Sequence, residues 1–207
     1  MKEHPILFSA PMVRAILEDR KTQTRRIVKP QPDGPVYLPE DPKVARYCRE
    51  NHEAMTLAAW AKGFSPYGQP GDRLWVRETW QGPLMEDMCA YRAEPSDFHK
   101  PEFCEYAADG RSPPEFVNDD DELKQCWRPS IFMPRWASRI TLELTDVRVE
   151  RLQEITLIDC EEEGVGHVGP QSAQARYREL WDSLNAKRAP WASNPWVWVL
   201  VFKRLTP

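Results

Sequence analysis

Residues 5–26 read PILFSAPMVRAILEDRKTQTRR, and the order of elements in this stretch decides the fold. A short apolar strand at residues 6–8 leads into a helix. Ser9 can cap the start of this helix, and Pro11 is tolerated in its first turn. The apolar residues of the helix fall on one stripe, and the helix ends after Asp19. Residues 21–26 are rich in side chains that prefer an extended chain. The stretch therefore predicts a strand, a helix and a second strand in close succession.

The side chains of this second strand would alternate between two faces. Thr22, Thr24 and Arg26 share one face, and Gln23 and Arg25 share the other. Lys21 would point away from Thr24 on an unbroken strand, and the two converge only if Lys21 lies in the turn before the strand. An amine beside a hydroxyl and a guanidinium suits anion binding or the activation of a nucleophile. A solvated basic strand end is the alternative reading of the same residues.

The run from Asp19 to Arg26 resembles the signature of the ASCH group of PUA-like β-barrels, which is glycine-x-lysine-x-x-glutamate-x-arginine. Lys21 and Arg26 match it, whereas Asp19 stands at the glycine position and Thr24 at the glutamate position. The lysine-x-x-threonine form is similar to small bacterial amidohydrolases that remove the acyl group from N4-acetylcytidine. Three later runs resemble the larger, phage-associated ASCH proteins: residues 71–80, 128–164 and 181–205.

This resemblance implies an α+β fold, a PUA-like small mixed β-barrel flanked by short helices. We expect one domain over residues 1–207, enlarged by insertions at about residues 30–70 and 81–129, because small ASCH domains have nothing this long there. Residues 139–152 alternate as a long strand with a bulge or bend at residues 145–146. Residues 173–184 predict an amphipathic helix, and the apolar run 196–202 predicts a strand covered on both sides. Two shorter strands are expected at residues 88–93 and 103–108.

An acidic helix end supplies the third candidate catalytic residue. Thr156 and Asp159 have the spacing of a capping box, and Gly164 ends the helix that they begin. Glu161, Glu162 and Glu163 fill its last turn, where mutual repulsion and the helix dipole favour retention of a proton on one of them. A general acid needs such a proton. From the residues alone, the run is an ordinary acidic helix end.

The resemblance, counted back from Gly164, places the family's catalytic glutamate at Glu163. It implies a catalytic set of Lys21, Thr24 and Glu163 that works without a metal or organic cofactor. Thr24 would attack the acyl carbonyl, Lys21 would take its proton, and Glu163 would protonate the departing cytosine amine. Water then clears the acyl-threonine, or Lys21 activates water directly.

Charged and aromatic residues elsewhere are candidates for substrate binding. The strand at residues 73–80 has charges on both faces, and a buried charge needs a partner, so Arg77 or Glu78 either enters the pocket or pairs with the other at the surface. Residues 127–138 are proline-kinked and aromatic, and they either stack on a base or plug the barrel end. The candidate substrate-binding residues are Ser9, Arg26, Arg77, Glu78, Arg135 and Trp136.

Composition limits the class of function. The formal net charge is -4, so no global basic field draws the protein onto long nucleic acid. Five scattered cysteines, without a C-x-x-C pair, fit a reducing cytoplasm and do not suit a structural zinc site. The sequence has no signal peptide or long apolar run, so we expect a soluble cytoplasmic monomer without a membrane partner.

The sequence therefore predicts an amidohydrolase acting on N4-acetylcytidine-type nucleosides. One alternative is an RNA-binding or modified-base reader domain, in which the basic strand would bind phosphate. Another is a ribonuclease, in which Lys21 and Glu163 would act as acid and base around a ribose hydroxyl. A closed pocket the size of a nucleoside favours the hydrolase, whereas an open basic channel favours polymer binding.

Overall fold

The computed structural model describes residues 1–29, 31, 65–84, 94–118, 122–166 and 172–205. Most of the expected insertion at residues 30–70 and the strand expected at residues 88–93 lie outside these ranges. Three α-helices are described: α1 (Ala10–Leu17), α2 (Leu157–Glu162) and α3 (Ala173–Asn185). The described strands are β1 (Glu3–Leu7), β2 (Gln23–Ile27), β3 (Arg73–Arg77), β4 (Trp80–Gln81), β5 (Glu105–Tyr106), β6 (Glu115–Val117), β7 (Leu123–Gln125), β8 (Thr141–Arg151) and β9 (Trp196–Leu205).

Short 3-10 turns connect several of these elements. They are Pro95–Phe98, Pro101–Phe103, Ala107–Asp109, Ser130–Phe132, Arg135–Ala137, Leu152–Glu154 and Trp191–Ser193. None of the described helices is both long and apolar enough to cross a membrane.

Five strands form one mixed sheet in the order β1-β3-β8-β9-β2. β1 pairs with β3 in parallel, and the other neighbours are antiparallel. Among the described residues no ladder joins the edge strands β1 and β2, so this sheet is not closed. The edges do approach each other, because Arg26 Nη2 on β2 donates to the Leu7 carbonyl on β1 at 2.8 Å. The α+β class is confirmed. The expected barrel is not closed among the described residues, and the PUA-like fold stays a prediction.

The long strand β8 carries the irregularity that its sequence predicts. Leu142 and Leu144 are buried, and Val147 continues the buried face after a shift in register against β9 between Leu144 and Asp146. The extra residue lets the apolar face continue where strict alternation would have turned it outward. The predicted bend is confirmed.

Strand β9 lies between two apolar clusters, as its unbroken apolar run predicts. Trp198, Leu200 and Phe202 join the larger cluster with residues of β1, β3, β8 and α1. Val197 and Val199 join a second cluster, which also includes Leu152 and residues of α2 and α3. Because alternate side chains of a strand point to opposite faces, β9 connects the two halves of the core.

The helix caps follow local sequence in one case and depart from it in another. The Thr156–Asp159 capping box at the start of α2 is confirmed, with Asp159 N–H donating to Thr156 Oγ1 at 3.1 Å. Ser9 precedes α1 in extended conformation, but its exposed side chain makes no capping hydrogen bond. The strand expected at residues 103–108 is reduced to the two-residue β5, because 3-10 turns occupy both of its flanks.

Candidate active site

Lys21 lies in the connection between α1 and β2. Its N–H donates to the Ala15 carbonyl at 3.0 Å, and the N–H of Thr22 donates to the Glu162 carbonyl at 2.8 Å. An isolated β-bridge pairs Lys21 with Glu163 just before β2 begins. The expectation that Lys21 precedes the strand is therefore confirmed. The same backbone bonds bring the end of α2 against the chain entering β2.

Asp19 precedes Lys21 in a left-handed turn. Its φ of 54° is left-handed, a conformation that aspartate tolerates better than most residues. The carboxylate of Asp19 accepts two hydrogen bonds from Arg204, at 3.1 and 3.0 Å. These bonds hold the turn that leads to Lys21.

The side chains of Lys21 and Glu163 form a buried ion pair. Lys21 Nζ is 2.6 Å from Glu163 Oε2 and 2.9 Å from the Glu163 carbonyl oxygen. Lys21 is 2% exposed and Glu163 is 5% exposed. Burial lowers the pKa of Lys21, because the charged amine loses its water, although the nearby Glu163 carboxylate opposes this shift. The pair joins two residues that are 142 positions apart in the sequence.

Gly164 makes this close approach possible. Its φ of 84° is left-handed, which ends α2. A Cβ atom here would lie 3.1 Å from Ala15 Cβ and 3.3 Å from Lys21 Cβ. A larger residue would therefore push the end of α2 away from Lys21.

Arg25 is a second cation beside Glu163, and the sequence did not identify it. Its buried guanidinium lies 3.4 Å from Glu163 Oε1 and 3.3 Å from carboxylate oxygens of Glu150 and Asp159. Sequence reasoning considered the helix dipole and the repulsion among neighbouring glutamates, whereas two cations contact the Glu163 carboxylate. Lys21 is the nearer of the two, at 2.6 Å.

Asp159 connects the start of α2 to β2. Its carboxylate accepts hydrogen bonds from Gln23 at 2.8 Å and from Arg148 at 3.2 Å. Burial opposes the ionisation of Asp159, but hydrogen bonds from Gln23 and Thr156, with the charge of Arg25, outweigh it and lower the pKa to about 2. Gln23 and Arg25 both contact this carboxylate, which agrees with their predicted common face.

Thr24 faces a small cavity beside the ion pair. The cavity has a volume of about 30 Å³. Thr24 is buried, and its backbone pairs with Leu200 of β9. No hydrogen bond joins its hydroxyl to another residue within the described ranges. The cavity is lined by Met12, Thr24, Arg25, Arg26, Glu163, Tyr177, Leu180, Trp181, Leu184 and Asn185.

The three predicted catalytic residues are thus neighbours, connected through Glu163. Glu163 lines the cavity with Thr24, and it also contacts Lys21. Lys21 itself is not part of the cavity lining.

The enclosed space is smaller than one nucleoside. About 30 Å³ accommodates one or two water-sized groups, which is comparable to a short acyl group. Leu180 lines both this cavity and an open groove of about 720 Å³, which Arg20 and Arg176 also line. The remaining lining of the groove is Gly164, Val165, Gly166, Glu179 and Ser183. A ligand larger than an acyl group would have to extend out of the cavity.

Arg26 brings a positive charge to the cavity. Its guanidinium donates to the carbonyls of Leu7 at 2.8 Å and Arg25 at 3.3 Å, and it lies 5.0 Å from the Phe8 ring centroid. No carboxylate of the described residues lies within ion-pair distance of it. Arg26 can therefore offer charge to a carbonyl or an anion in the cavity.

Glu78 and Arg77 do not line the cavity, and each is engaged elsewhere. Glu78 is buried and accepts two hydrogen bonds from Arg139, at 3.0 and 3.1 Å. Arg77 donates to the Ile131 carbonyl and lies over the ring of Trp75. The expected partner of the buried charge therefore exists, and it is Arg139 rather than Arg77.

Arg135, Trp136 and Ser9 are also absent from the cavity lining. Arg135 pairs with Glu3 at 2.8 Å, at the opposite end of β1 from Leu7. Trp136 stacks on His99 with a centroid distance of 4.6 Å and packs edge-on against Trp80. Trp136 therefore packs against a third apolar cluster, whereas Arg135 is held by Glu3. Ser9 is exposed.

Helix α3 supplies a wall of the cavity that the sequence did not assign to the site. Tyr177, Leu180, Trp181 and Leu184 have the i, i+3, i+4, i+7 spacing of one helix face. Sequence analysis predicted an amphipathic helix here, and the rings of Tyr177 and Trp181 pack in the second apolar cluster. The only signal of a further role was a polar tip, the tyrosine hydroxyl, on an otherwise apolar stripe.

The described residues contain no group of three or more His, Cys, Asp or Glu side chains that could hold a metal ion. Comparisons of the chain with protein-family models, curated proteins and solved structures found no match.

Proposed function

We propose that the protein is an amidohydrolase of the ASCH, PUA-like type that removes the acyl group from N4-acetylcytidine-type nucleosides. The observation that carries the proposal is the buried contact between Lys21 and Glu163, 2.6 Å long, at the edge of a cavity that also contains Thr24. A buried ion pair is costly to desolvate and is weak evidence for stability. An amine, a carboxyl group and a hydroxyl around one cavity are the groups that acyl transfer needs.

We take the neutral arrangement, Lys21 amine with Glu163 carboxylic acid, as the reactive form of the pair. It has the same net charge as the ion pair and arises from it by transfer of one proton across the 2.6 Å contact. In that form Lys21 accepts the proton of the Thr24 hydroxyl as Thr24 Oγ1 bonds to the acyl carbon. The carbonyl electron pair moves onto oxygen, where Arg26 stabilises the charge.

Collapse of this intermediate breaks the bond between the acyl carbon and N4, and Glu163 donates its proton to the departing amine. The pair is then in its ionic form. In the second half of the reaction, Glu163 takes a proton from water as the water attacks the acyl-threonine. Lys21 returns a proton to Thr24, which restores the starting state and releases the carboxylic acid.

Burial of the cations supports a hydrolase over an RNA-binding domain. Residues that bind the phosphate backbone act through exposed charge. Lys21 and Arg25 are instead buried and contact carboxylates at 3.4 Å or less. RNA binding or RNA cleavage by the protein, in place of deacylation, would replace the proposed function.

The test is incubation of the protein with N4-acetylcytidine and chromatographic detection of cytidine. We expect turnover by the wild type, loss of turnover in Thr24→Ala, and partial retention in Thr24→Ser, which keeps a hydroxyl. Thr22→Ala is the matched control, because Thr22 precedes β2 and is not part of the cavity lining. Near-full activity of Thr24→Ala would exclude Thr24 as nucleophile. A wild type that leaves N4-acetylcytidine intact but binds or cuts RNA would refute the proposed function.

A further inference from the structure

Tyr177 brings a hydroxyl group into the cavity from the side opposite β2. It lies on α3, is 3% exposed and lines the cavity together with Thr24 and Glu163. Its hydroxyl is 3.5 Å from Glu163 Oε1, at the outer limit of a hydrogen bond. Among the described residues this is the one hydrogen bond of that hydroxyl. The group is therefore loosely held and can donate to another acceptor in the cavity.

The ring of Tyr177 is fixed by its neighbours. Its centroid lies 6.5 Å from that of Trp181 and 6.3 Å from that of Trp191, with the second pair edge-to-face. These contacts hold the ring in the second apolar cluster, where its packing would be equally served by phenylalanine. Packing alone therefore does not explain a hydroxyl at this position.

The hydroxyl keeps its proton. Burial, and then the negative charge of Glu163, raise the pKa of Tyr177 well above its usual range, and Arg25 and Arg26 only partly oppose this. Tyr177 is therefore a hydrogen-bond donor and not a base. The acceptor that acyl transfer creates in this cavity is the oxyanion on the former carbonyl carbon.

We propose that Tyr177 is a catalytic hydrogen-bond donor, whose hydroxyl binds the acyl carbonyl oxygen and stabilises its negative charge as Thr24 attacks. This inference rests on the proposed function. No proton leaves Tyr177 in the step, because the proton of Thr24 goes to Lys21. Arg26 and Tyr177 approach the cavity from β2 and α3, so that the oxyanion receives one donor from each element.

The experiment compares Tyr177→Phe with the wild type in N4-acetylcytidine turnover. We expect kcat to fall about 100- to 1000-fold, as on loss of one oxyanion donor, with KM changed little. The melting temperature should stay close to that of the wild type, because the ring packing remains. The matched control is Tyr106→Phe, which removes a buried hydroxyl that donates to the Ala137 carbonyl at 2.8 Å, away from the cavity.

A second variant tests the donor without removing it. 3,5-Difluorotyrosine at position 177 keeps the ring and the hydroxyl but ionises at lower pH. We expect this variant to lose activity on the alkaline side at a lower pH than the wild type, an effect that a packing role would not produce.

The outcomes separate the two proposals. If the wild type is active and Tyr177→Phe keeps kcat within about threefold, or if Tyr106→Phe loses as much, the role of Tyr177 is refuted and the hydrolase stands. An unchanged alkaline limb with difluorotyrosine refutes it as well, even if Tyr177→Phe folds poorly. A wild type without deacylase activity overturns both proposals.

Discussion

At the scale of single residues, Lys21 and Glu163 depend on each other for the stability of their buried charges. Removing one partner of a buried pair leaves the other uncompensated. We predict that Lys21→Met and Glu163→Gln each lower the free energy of unfolding by about 3–5 kcal/mol. The double variant should lose less than the sum of the two, because it leaves neither charge unpaired. Urea denaturation followed by tryptophan fluorescence measures all three.

The control for this cycle is the exposed pair of Arg20 and Glu18 in the same connection. Their side chains are 53% and 54% exposed. Exposed pairs contribute at most about 1 kcal/mol, so Arg20→Met and Glu18→Gln should change the stability little. Strictly additive losses for Lys21 and Glu163 would show that the two do not interact as the geometry requires.

From the sequence, only those residues around the cavity and the ion pair could be identified that belong to a recognisable motif. Lys21, Thr24 and Glu163 follow from the resemblance, and Lys21 also from the requirement that it precede the strand. Arg25 and Tyr177 were missed, because strand alternation and helix periodicity give the face of a residue but not its partners on distant elements. For Arg77 and Glu78 the sequence offered the pocket or pairing with each other, and neither alternative included Arg139, the partner of Glu78.

At the scale of elements, α2 is attached to β2 at both ends. Asp159 in its first turn contacts Gln23 and Arg25, and Glu163 after its last turn contacts Lys21 and Arg25. We predict that Asp159→Asn lowers the free energy of unfolding at pH 7 by about 1–3 kcal/mol, since it removes charge-assisted hydrogen bonds. Thermal unfolding by circular dichroism measures the change.

The effect of Asp159→Asn should depend on pH in a defined direction. The pKa of Asp159 is about 2 in the folded protein and close to 4 in an unfolded chain, so its ionised form stabilises the fold. This contribution is fully present above about pH 4 and is lost as the pH falls towards 2. The difference in stability between wild type and variant should therefore shrink over that window. Glu115→Gln, which changes an exposed carboxylate on β6, serves as the matched control. A difference that stays constant down to pH 2 would contradict the assignment.

Elements with local signals were predicted well, and elements that depend on tertiary context were not. The capping box of α2, the end of that helix at Gly164 and the bend in β8 all follow from neighbouring residues. The strand expected at residues 103–108 failed, because prolines and turn residues on its flanks form 3-10 turns that alternation alone does not reveal. Ser9 was a suitable cap by type, but its side chain faces solvent.

At the scale of the whole molecule, the sheet order and the approach of its two edges place the site, and neither follows from sequence patterns. Alternation predicts the strands, and the apolar run of β9 predicts its burial on both faces. The pairing of β1 with β3 and of β2 with β9 requires long-range contacts that only the folded chain specifies. The resemblance supplied a barrel as the expected arrangement, and the hydrogen bond from Arg26 to Leu7 is the described link between the two edges.

Strand β9 makes one cooperative unit of the two main apolar clusters, and this can be tested. Leu200 belongs to the larger cluster and Leu152 to the second, and both are 0% exposed. Leu200→Ala and Leu152→Ala should each cost about 2–5 kcal/mol, because each removes buried methyl groups and leaves a cavity. Leu123→Ala is the control, since Leu123 is 67% exposed on β7 and its replacement should change the stability by less than about 0.5 kcal/mol.

In denaturant, fluorescence and circular dichroism should give one coincident transition for each variant, because β9 cannot leave one cluster without leaving the other. Two separated transitions in either core variant would mean that the halves on the two faces of β9 unfold independently.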